Sequence, residues 1–506
     1  MTLFKKINEN SIELELENEH IAVRAIKLIT KSDVNNTLVE EKVALVYRGT
    51  IAELSGQIFF ITNRVKKTST VVIIPTPDFA MPSLIGIIPK PDFSKPEERP
   101  ENPRLVIDTC GYPAYTADCM VGEEERLVRD WYREHYKPTE LHAMSNTWGD
   151  RNGRTRVCDE FVRREIDSGA DLGLDVMQID DGWQRGIPEV YDENKNRIFE
   201  GDFWELKTEI FPNGMKPLAE YAREHGAELG LWFAPHSRGV FEHFDRDLSV
   251  LKHAYNNWSI RYFKLDMIDL PTREHADKMI EFLESVLSLD GTSVELDVTA
   301  HDRLGYLASA PYGTIFVENR YTAWSNYYPH RTLRNLWMLS RYIPTSKLQM
   351  ELLNPELCTD KYPDDDPYCH RNFDIDYLFA SVMLSNPLVW METQFLSEKS
   401  RAQLKSIIPI WKKHRAELTN ADVRPIGEEP SGEALTGFAA ECGDKLHILL
   451  FRESTDRDTI TLDLGHELSG VEVIAEKHHA TVKADGSSIT VTIPEARSYV
   501  WLRASI

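Results

Sequence analysis

The sequence predicts a multidomain α/β protein in which a (β/α)8 TIM barrel is flanked by an N-terminal β-sandwich domain and a small C-terminal antiparallel β domain. Three short segments carry the barrel prediction, because each is an apolar run that leads directly into carboxylate, aromatic or basic residues. Parallel strands buried on both faces have such apolar runs, and the polar groups that follow barrel strands meet in one mouth. The segments are Gln178–Gln184, Gly230–Pro235 and Tyr262–Met267.

Residues 1–135 show the pattern typical of a β-sandwich domain. Short runs rich in apolar and β-branched residues are separated by glycine, asparagine and proline, as expected for antiparallel sheets. Examples of these runs are Ile12–Leu16, Ile58–Ile61 and Thr70–Ile74.

Residues 136–418 predict the barrel, because apolar strand-length runs alternate with amphipathic helix-length segments. The length of this region agrees with the roughly 250 residues of a TIM barrel plus insertions. Helices are expected over Arg154–Ser168, Lys216–His225 and His275–Leu287. Strands are expected at Leu141–Ser145, Val176–Ile179, Glu228–Phe233, Tyr262–Leu265, Val294–Leu296, Thr314–Val317, Leu348–Leu352 and Pro387–Met391.

Residues 419–506 return to the alternating pattern and predict a small antiparallel β domain. Asp485 and Gly486 form a dipeptide that favours a tight hairpin turn between two of its strands. Strands are expected at Lys445–Phe451, Thr459–Leu464, Val471–Ile474 and Ser488–Ile493.

Charge and hydropathy exclude several classes of partner. The 506 residues include 58 Lys and Arg against 81 Asp and Glu, a formal net charge of −23, so the surface field repels nucleic-acid phosphates and anionic lipids. No apolar run reaches membrane-spanning length, and the first residues lack the apolar stretch of a secretory signal. We therefore expect a cytoplasmic protein that binds neither nucleic acid nor membrane and acts on a small neutral molecule.

The six cysteines are few and scattered, which favours a reducing compartment over a disulfide framework. Cys358 and the pair Cys369 and His370 are residue types that can bind a metal, but the sequence lacks the closely spaced cysteine pair of a zinc site. Ordinary packing explains them better, so the sequence predicts no metal and no cofactor.

The carboxylates at the strand ends suit the hydrolysis of a glycosidic bond. This reaction needs one carboxylate that attacks or stabilises the anomeric carbon and a second, protonated group that assists the leaving oxygen. Asp266 follows Lys264 by two positions, so on a strand both side chains point to the same face, and the ammonium group favours the ionised carboxylate. From spacing alone, an Asp266 that caps the next helix explains the pattern equally well.

Asp180 and Asp181 end the second predicted barrel strand and are followed by Gly182 and Trp183. Two neighbouring carboxylates can accept hydrogen bonds from vicinal sugar hydroxyls, and an indole can stack on the C–H face of a sugar ring. The glycine permits a sharp departure from the sheet, and a plain turn is the alternative explanation.

The order of these motifs resembles glycoside hydrolase family 36, the α-galactosidases and their clan D relatives. The segment Ile179–Gln184 also resembles the raffinose-synthase branch. The similarity covers roughly residues 140–418 and rests on Asp180–Trp183, Phe211–Ala219, Gly230–Phe233 and Lys264–Asp266, and more weakly on Asn146–Trp148. It implies Asp266 as the catalytic nucleophile, Lys264 beside it, Asp180 and Asp181 as ligands of sugar hydroxyls, and Trp183 and Trp232 as pocket walls.

The function implied by the resemblance is that of a retaining, exo-acting α-glycosidase, in the first place an α-galactosidase that acts on small α-galactosides by double displacement. Two alternatives stay open at this point: a catalytically impaired sugar-binding barrel, and a transglycosylase of the raffinose-synthase type, in which a sugar hydroxyl intercepts the glycosyl-enzyme. Relatives commonly form multimers, so a homo-oligomer is expected.

The acid/base is the first departure from the family pattern. The family carries an aspartate after the sixth strand, where this chain has Glu318, Asn319 and Arg320 and lacks an aspartate. Glu318 is therefore the first candidate, because desolvation near aromatic side chains would let it hold its proton. Asp302, after the fifth strand, is the reserve, and an ion pair of Glu318 with Arg320 or Arg331 is the alternative.

Two further departures bear on which sugar is bound. His236 ends a segment in which the family commonly has two glutamates, so hydroxyl acceptors are lost there. Arg303 keeps the place of a family arginine near the C2 group of the sugar, but His301 and Asp302 bring bulk into that loop and argue against an N-acetyl sugar. Several aromatic residues, among them Trp148 and Tyr321, are expected around the mouth, and two or three of them should stack on substrate.

Overall fold

The computed structural model describes residues 3–7, 10–16, 20–45, 53–87, 104–136, 138–151, 153–188 and 201–506. These residues form a closed barrel of parallel strands together with several antiparallel sheets, so the predicted fold class is confirmed. Within the same residues, helices of a length and apolarity sufficient to cross a lipid bilayer are not found. The division of the chain at residues 135 and 418 stays a prediction.

The first sheets form a sandwich whose interior is built from alternating side chains. Ile12, Leu14, Val23 and Phe59 are buried in one shared core. The strands are β1 (Leu3–Ile7), β2 (Ser11–Glu15), β3 (Ile21–Leu28), β4 (Val39–Leu45), β5 (Leu54–Ser55), β6 (Ile58–Asn63), β7 (Thr68–Ile73), β8 (Ser83–Ile87), β9 (Arg104–Asp108) and β10 (Tyr115–Met120). They make two sheets, ordered β1-β2-β9-β8-β5 and β10-β7-β6-β3-β4.

The outer face of the second sheet packs against the barrel. Ile26, Phe60 and Ile73 lie in a core cluster that also contains Leu307 and Tyr342 from the barrel region. Because β3 and β4 belong to this sheet, the loop between them, residues 29–38, is held close to the barrel mouth. We call this segment the β3–β4 loop.

The barrel strands lie close to their predicted positions. They are β11 (Met144–Asn146), β12 (Val176–Ile179), β13 (Glu228–Phe233), β14 (Tyr262–Leu265), β15 (Ser293–Asp297), β16 (Thr314–Phe316), β17 (Leu348–Leu352) and β18 (Asn386–Val389). Each strand pairs in parallel with the next, and β18 returns to pair with β11. Small or polar side chains such as Ser145 and Gln178 occupy buried positions beside apolar ones.

Helices follow the strands around the barrel. They are α1 (Glu124–His135), α2 (Asp159–Leu172), α3 (Lys216–Glu224), α4 (Arg238–Phe241), α5 (Phe244–Trp258), α6 (Arg273–Leu287), α7 (Gly305–Ala308), α8 (Pro329–Leu339), α9 (Ile375–Val382) and α10 (Glu398–Asn420). The predicted start of α2 at Arg154 is wrong, because residues 153–155 form a separate 3-10 turn and the helix begins five residues later.

The last part of the described chain forms two antiparallel sheets. Its strands are β19 (Asp422–Gly427), β20 (Leu435–Cys442), β21 (Lys445–Arg452), β22 (Thr459–Asp463), β23 (Ser469–Glu476), β24 (Thr481–Asp485), β25 (Ser488–Thr492) and β26 (Ser498–Ser505). The predicted hairpin turn is confirmed: β24 and β25 pair from Asp485 and Ser488 outward, and Gly486 has a φ of 60°.

Candidate active site

An open cavity with about 710 Å³ of empty space lies where the first six barrel strands end. Eight of the eleven residues predicted for the site line it, so the strand-end motifs do converge. The lining residues are Asp33, Trp148, Asp180, Asp181, Pro188, Trp232, Lys264, Asp266, Met267, Asp297, Thr299, Ala300, His301, Arg303, Asn319 and Tyr321.

Lys264 lies on β14 and connects three carboxylates of this cavity. Its ammonium nitrogen is 3.2 Å from an Asp180 oxygen and 3.6 Å from an Asp297 oxygen, and it lies over the rings of Phe316 and Trp390 at 4.8 and 5.0 Å. Burial opposes the charged form, but the nearby carboxylates outweigh it and raise the pKa of Lys264 above its ordinary value. The cavity therefore contains a permanently charged ammonium group.

Asp266 follows β14 directly and is held as a carboxylate. Burial favours its neutral form, but Lys264 and Arg303 outweigh that effect and lower the pKa of Asp266. The Arg303 guanidinium lies 3.6 Å from one oxygen, and the Trp232 indole N–H donates to the other at 3.0 Å. A charged oxygen that is fixed in position and partly desolvated is what a glycosidase nucleophile requires.

The alternative in which Asp266 caps the next helix is wrong. Thr272 is the N-cap of α6, and its hydroxyl accepts a hydrogen bond from the His275 backbone N–H at 3.4 Å. Met267, next to Asp266, has a φ of 56°, a left-handed conformation that is uncommon away from glycine and is found most often at functional sites.

Asp180 and Asp181 lie at the end of β12, and each has partners that fix its orientation. Asp180 accepts hydrogen bonds from Asn146 at 2.8 Å and from Lys264 at 3.2 Å, and Asp181 accepts one from Gln184 at 2.5 Å. Gly182 turns the chain here with a φ of 130°, and a Cβ at this position would come within 2.8 Å of Arg154. Asp180 and Asp181 therefore belong to a turn and also line the cavity.

Asp297 is a cavity carboxylate that the sequence analysis missed. It ends β15, one position beyond the pairing of Leu265 with Leu296, so it lies beside Asp266 across the strands. Desolvation by burial and the charge of Asp266 raise the pKa of Asp297 to about 7, although Lys264 opposes this. The strand-end rule that identified Asp180 and Asp266 also applies to Asp297 and would have identified it.

Asp33 is the second missed residue, and it comes from the β3–β4 loop. Its backbone N–H donates to the Thr299 carbonyl at 3.1 Å, and its side chain lines the cavity, as does that of Asn319. The residue is exposed, but desolvation at its carboxyl group raises the pKa of Asp33 to about 6, helped by the negative charge of Asp266. Nothing in the local sequence around Asp33 indicates this location.

The remaining predicted site residues lie outside the cavity lining. Glu318 is fully buried and accepts hydrogen bonds from Thr332, at 2.8 Å, and Asn335, both on α8. The ion pair expected between Glu318 and Arg320 or Arg331 is therefore replaced by hydrogen bonds from uncharged groups. These contacts direct the carboxylate to α8 and away from the sugar cavity.

Asp302 and Trp183 lie outside the cavity lining and contact residues next to it or within it. Asp302 forms an ion pair with Lys31 of the β3–β4 loop, and its backbone N–H donates to Asp269 at 3.2 Å. The buried Trp183 donates its indole N–H to the Trp232 carbonyl at 2.9 Å and stacks on Trp204. Trp232 itself, together with Trp148 and Tyr321, lines the cavity.

Two groups of described residues bring three metal-ligand side chains within 4.8 Å of one another. One is formed by His236, Glu242 and His243, and the other by His414, Glu417 and His447. In the second group, Glu417 already accepts hydrogen bonds from His447 at 2.7 Å and from Arg503 at 2.8 Å. Cys358 and Cys369 belong to neither group, and the Cys369 sulfur contacts the His370 ring at 3.6 Å.

Comparison with known proteins identifies this part of the chain. Residues 118–293 match the Melibiase family model. This segment is similar to the melibiases. It carries Asp180, Lys264 and Asp266, and the resemblance to glycoside hydrolase family 36 is confirmed.

Proteins similar in sequence to parts of this chain include bacterial α-galactosidases. Mel36A of Lactobacillus acidophilus is 30% identical over 111 residues, which are 22% of this chain and 13% of that protein. AgaA of Geobacillus stearothermophilus is 26% identical over 182 residues, 35% of this chain and 23% of that protein. The matched part of the chain thus covers less than a quarter of the length of either relative.

Solved structures share the fold of the whole chain. The crystal structure of AgaA, a GH36 α-galactosidase, superimposes with a TM-score of 0.66 at 13% identity, covering 98% of this chain and 76% of that one. The galactosidase domain of AgaSK, an α-galactosidase-sucrose kinase, superimposes with a TM-score of 0.69 at 11% identity, covering 98% and 75%. The segment that matches the Melibiase model therefore lies in the same multidomain TIM-barrel architecture.

Proposed function

We propose that this protein is a retaining, exo-acting α-glycosidase that hydrolyses small α-galactosides by double displacement. The observation that carries the proposal is Asp266, a carboxylate that lines the cavity and is kept ionised by Lys264 and Arg303. The α-galactosidase names of its sequence relatives support the choice of sugar.

The first chemical step follows from the surroundings of Asp266. One carboxylate oxygen attacks the anomeric carbon, and the hydrogen bond from Trp232 and the charge of Arg303 keep that oxygen in place. The bond from the anomeric carbon to the leaving oxygen breaks as the new bond forms, which gives a covalent glycosyl-enzyme. Water then releases the sugar with its original anomeric configuration.

The polar side of the cavity suits a neutral sugar ring. Asp180 and Asp181 present fixed oxygens that accept hydrogen bonds from hydroxyl groups, and Lys264 can donate to the same ring. Trp148, Trp232 and the ring of Tyr321 offer flat walls to the C–H face. The site needs no metal or cofactor for this chemistry, and assembly into a homo-oligomer stays a prediction.

The experiment that tests the proposal uses an aryl α-galactoside and an α-galactosyl fluoride that carries a second fluorine at C2. The first reagent should be turned over by the native protein, and the second should become covalently attached to Asp266, as read by peptide mass spectrometry. Asp266→Asn should lower kcat by on the order of 10⁴-fold or more, since nucleophile losses have effects of this size. Full activity of that variant would refute the assignment.

Two competing functions are separated by the same assays. The position of Glu318 favours a sugar-binding barrel, because it removes the acid expected after β16 from the cavity. Such a protein would bind galactose and leave even the fluoride intact. A transglycosylase would instead transfer the galactosyl group to a sugar acceptor supplied at high concentration, and product analysis would show the new disaccharide.

A further inference from the structure

We propose that Asp33, delivered to the barrel mouth by the N-terminal sheets, is the catalytic acid/base of this enzyme. The inference rests on the proposed α-glycosidase function and adds the residue that this function lacks. The observations that carry it are the docking of the β3–β4 loop on the barrel and the place of Asp33 in the cavity lining, which it shares with Asn319 and Asp266.

The β3–β4 loop is fastened to the loop that follows β15. The backbone N–H of Lys31 donates to the Val298 carbonyl at 2.8 Å, and that of Asp33 donates to the Thr299 carbonyl at 3.1 Å. The Lys31 ammonium group also pairs with Asp302, which lies three positions after Thr299. These contacts fix the backbone of Asp33 above the cavity in the way that a strand-end residue is fixed by its own strand.

The opposite side of the loop is fastened to residues that follow β16. Arg320 donates to the Asn35 carbonyl at 2.7 Å, and Arg334 on α8 donates to the Asn36 carbonyl at the same distance. The Asn35 side chain closes the loop internally by donating to the Thr30 and Lys31 carbonyls at 3.1 and 3.2 Å. Side chains from the barrel therefore hold the loop on two sides.

Asp33 and Asn319 line the same cavity, in which the acid expected after β16 is missing. Asn319 lines the cavity just after β16, at the position where an acid is expected from the family pattern. An asparagine cannot supply a proton, but its amide can orient a neighbouring carboxyl group by hydrogen bonding. Since Asp33 and Asn319 line the same cavity, the chain keeps a carboxyl group in this mouth, and the Asn319 side chain lowers the pKa of that group.

The charges that face Asp33 suit a group that must first give and then take a proton. Burial raises the pKa of Asp33 and the Asn319 side chain lowers it. Asp266 raises it further, whereas Arg320 and Lys264 lower it, and the net result is a pKa of about 6. His301 also lines this part of the cavity. When Asp266 becomes esterified to the sugar, its negative charge is lost, so the pKa of Asp33 falls and the group becomes a base.

The proton balance of the two steps is simple. In the first step, the Asp266 oxygen bonds to the anomeric carbon, and the proton of Asp33 passes to the departing oxygen, which leaves as a neutral alcohol. In the second step, water attacks the same carbon, Asp33 takes its proton, and Asp266 is released as a carboxylate. Asp33 returns to its protonated state, and no further reactant is needed.

The other acids near the cavity are less suitable. Asp297 is buried, accepts hydrogen bonds from the Thr299 backbone and hydroxyl at 2.9 and 2.6 Å, and contacts Lys264. It therefore lies deep in the cavity, with Lys264. Glu318 faces α8 and Asp302 pairs with Lys31. Asp33 is the exposed acid of the lining, which gives a leaving group and water direct access to it.

The decisive experiment combines Asp33→Ala with azide and two substrates. With an alkyl α-galactoside, kcat/KM should fall on the order of 10³-fold, since proton donation contributes about 10²–10⁴-fold. With α-galactosyl fluoride, whose leaving group needs little protonation, a burst of one equivalent of fluoride should remain. Azide should then restore turnover and give α-galactosyl azide, because it replaces water on the glycosyl-enzyme.

The product stereochemistry distinguishes the two carboxylates. Asp266→Gly with azide should give the β-azide, because azide then displaces the leaving group directly from the opposite face. The matched control Glu40→Gln removes an exposed carboxylate of β4 and should keep native rates. The same azide test on Asp297→Asn is included, and α-azide from that variant, with none from Asp33→Ala, would transfer the role to Asp297.

The pH profile supplies an independent measure. Proton donation is present below the pKa of Asp33 and is lost as the pH rises through it, so native kcat/KM for the alkyl galactoside should decline above pH about 6. Asp33→Ala should lose this decline. Unchanged turnover of the alkyl galactoside by Asp33→Ala, or absence of the fluoride burst in both Asp33→Ala and Asp33→Asn, would overturn the inference. An inactive native protein would instead refute the proposed function.

Discussion

The two sides of the barrel mouth are built in different ways. On the side of β12 to β14, each functional group lies on its own strand or directly after it, as Asp180, Lys264 and Asp266 do. On the side of β15 and β16, the wall is completed by Asp33 from a separate pair of sheets. A strand-end pattern in a sequence therefore identifies only those site residues that the barrel strands themselves supply.

The two sides also differ in how their charges are balanced. Lys264 and Arg303 neutralise buried carboxylates on the first side, where burial makes an unpaired charge costly. On the second side, Asp33 is exposed and is held chiefly through backbone contacts of its loop. Substitutions on the first side should therefore affect stability and activity together, and those on the second side mainly activity.

Lys264→Met should have the largest combined effect. Removal of the ammonium group leaves Asp180, Asp266 and Asp297 without their shared partner, which should cost about 3–5 kcal/mol of unfolding free energy. The pKa of Asp266 should rise, because Lys264 lowers it, so the acid limb of the activity profile should move to higher pH. Denaturant unfolding and the pH dependence of kcat/KM measure the two effects.

The control for this prediction is Lys405→Met, which removes an exposed lysine that pairs with Asp171 at 2.6 Å. It should change the unfolding free energy by no more than about 1 kcal/mol. Equal losses in the two variants would show that the buried position of Lys264 is energetically unimportant.

Asp180→Asn should come next and should mainly affect binding of the sugar. One carboxylate that accepts from Asn146 and Lys264 is neutralised, and charged hydrogen bonds of this kind contribute about 1.5–3 kcal/mol each. We expect kcat/KM for an aryl α-galactoside to fall on the order of 10²-fold. A variant with native kcat/KM would remove Asp180 from the sugar site.

Arg320→Ala should have a smaller effect that depends on the leaving group. It removes the donor to the Asn35 carbonyl and so loosens the β3–β4 loop. We expect kcat/KM for an alkyl galactoside to fall about 10-fold, the size of one lost hydrogen bond, and that for the fluoride to change much less. The decline at high pH should also move upward, because Arg320 lowers the pKa of Asp33. Equal losses on both substrates would argue against a loop that serves proton transfer.

Glu318→Gln should have the smallest effect on catalysis. The side chain accepts from Thr332 and Asn335 outside the cavity, so the variant should keep kcat within about 2-fold and lose about 1 kcal/mol of unfolding free energy. Steady-state kinetics beside thermal unfolding would check both values. A collapse of activity in a well-folded Glu318→Gln protein would return the acid/base to β16.

Much of the fold could be predicted because periodicity is a local property. The apolar runs of β12, β13, β14 and β17 coincide with their predicted bounds, and the alternation of side chains correctly placed Lys264 and Asp266 on one face. The helix start was missed at Arg154 because a 3-10 turn interrupts a sequence that is amphipathic without a break.

The acid side of the site could not be predicted for a different physical reason. The contact of Asp33 with Thr299 joins residues more than 260 positions apart, and no spacing rule spans that distance. Glu318 was chosen because it ends a barrel strand, but its hydrogen bonds to α8 turn it away from the cavity. Asp297 was within reach of the strand-end rule and was overlooked beside His301 and Asp302.

The docked β3–β4 loop has a consequence for how heat would inactivate the enzyme. The sandwich and the barrel share a buried core, but the junction that the β3–β4 loop makes with the barrel at Lys31 and Asp302 is more exposed than that core. Gentle warming that parts this junction would stop turnover of ordinary galactosides while the intact barrel still accepts a fluorosugar label at Asp266. Inactivation would then be reversible on cooling, well below the temperature at which the barrel itself unfolds.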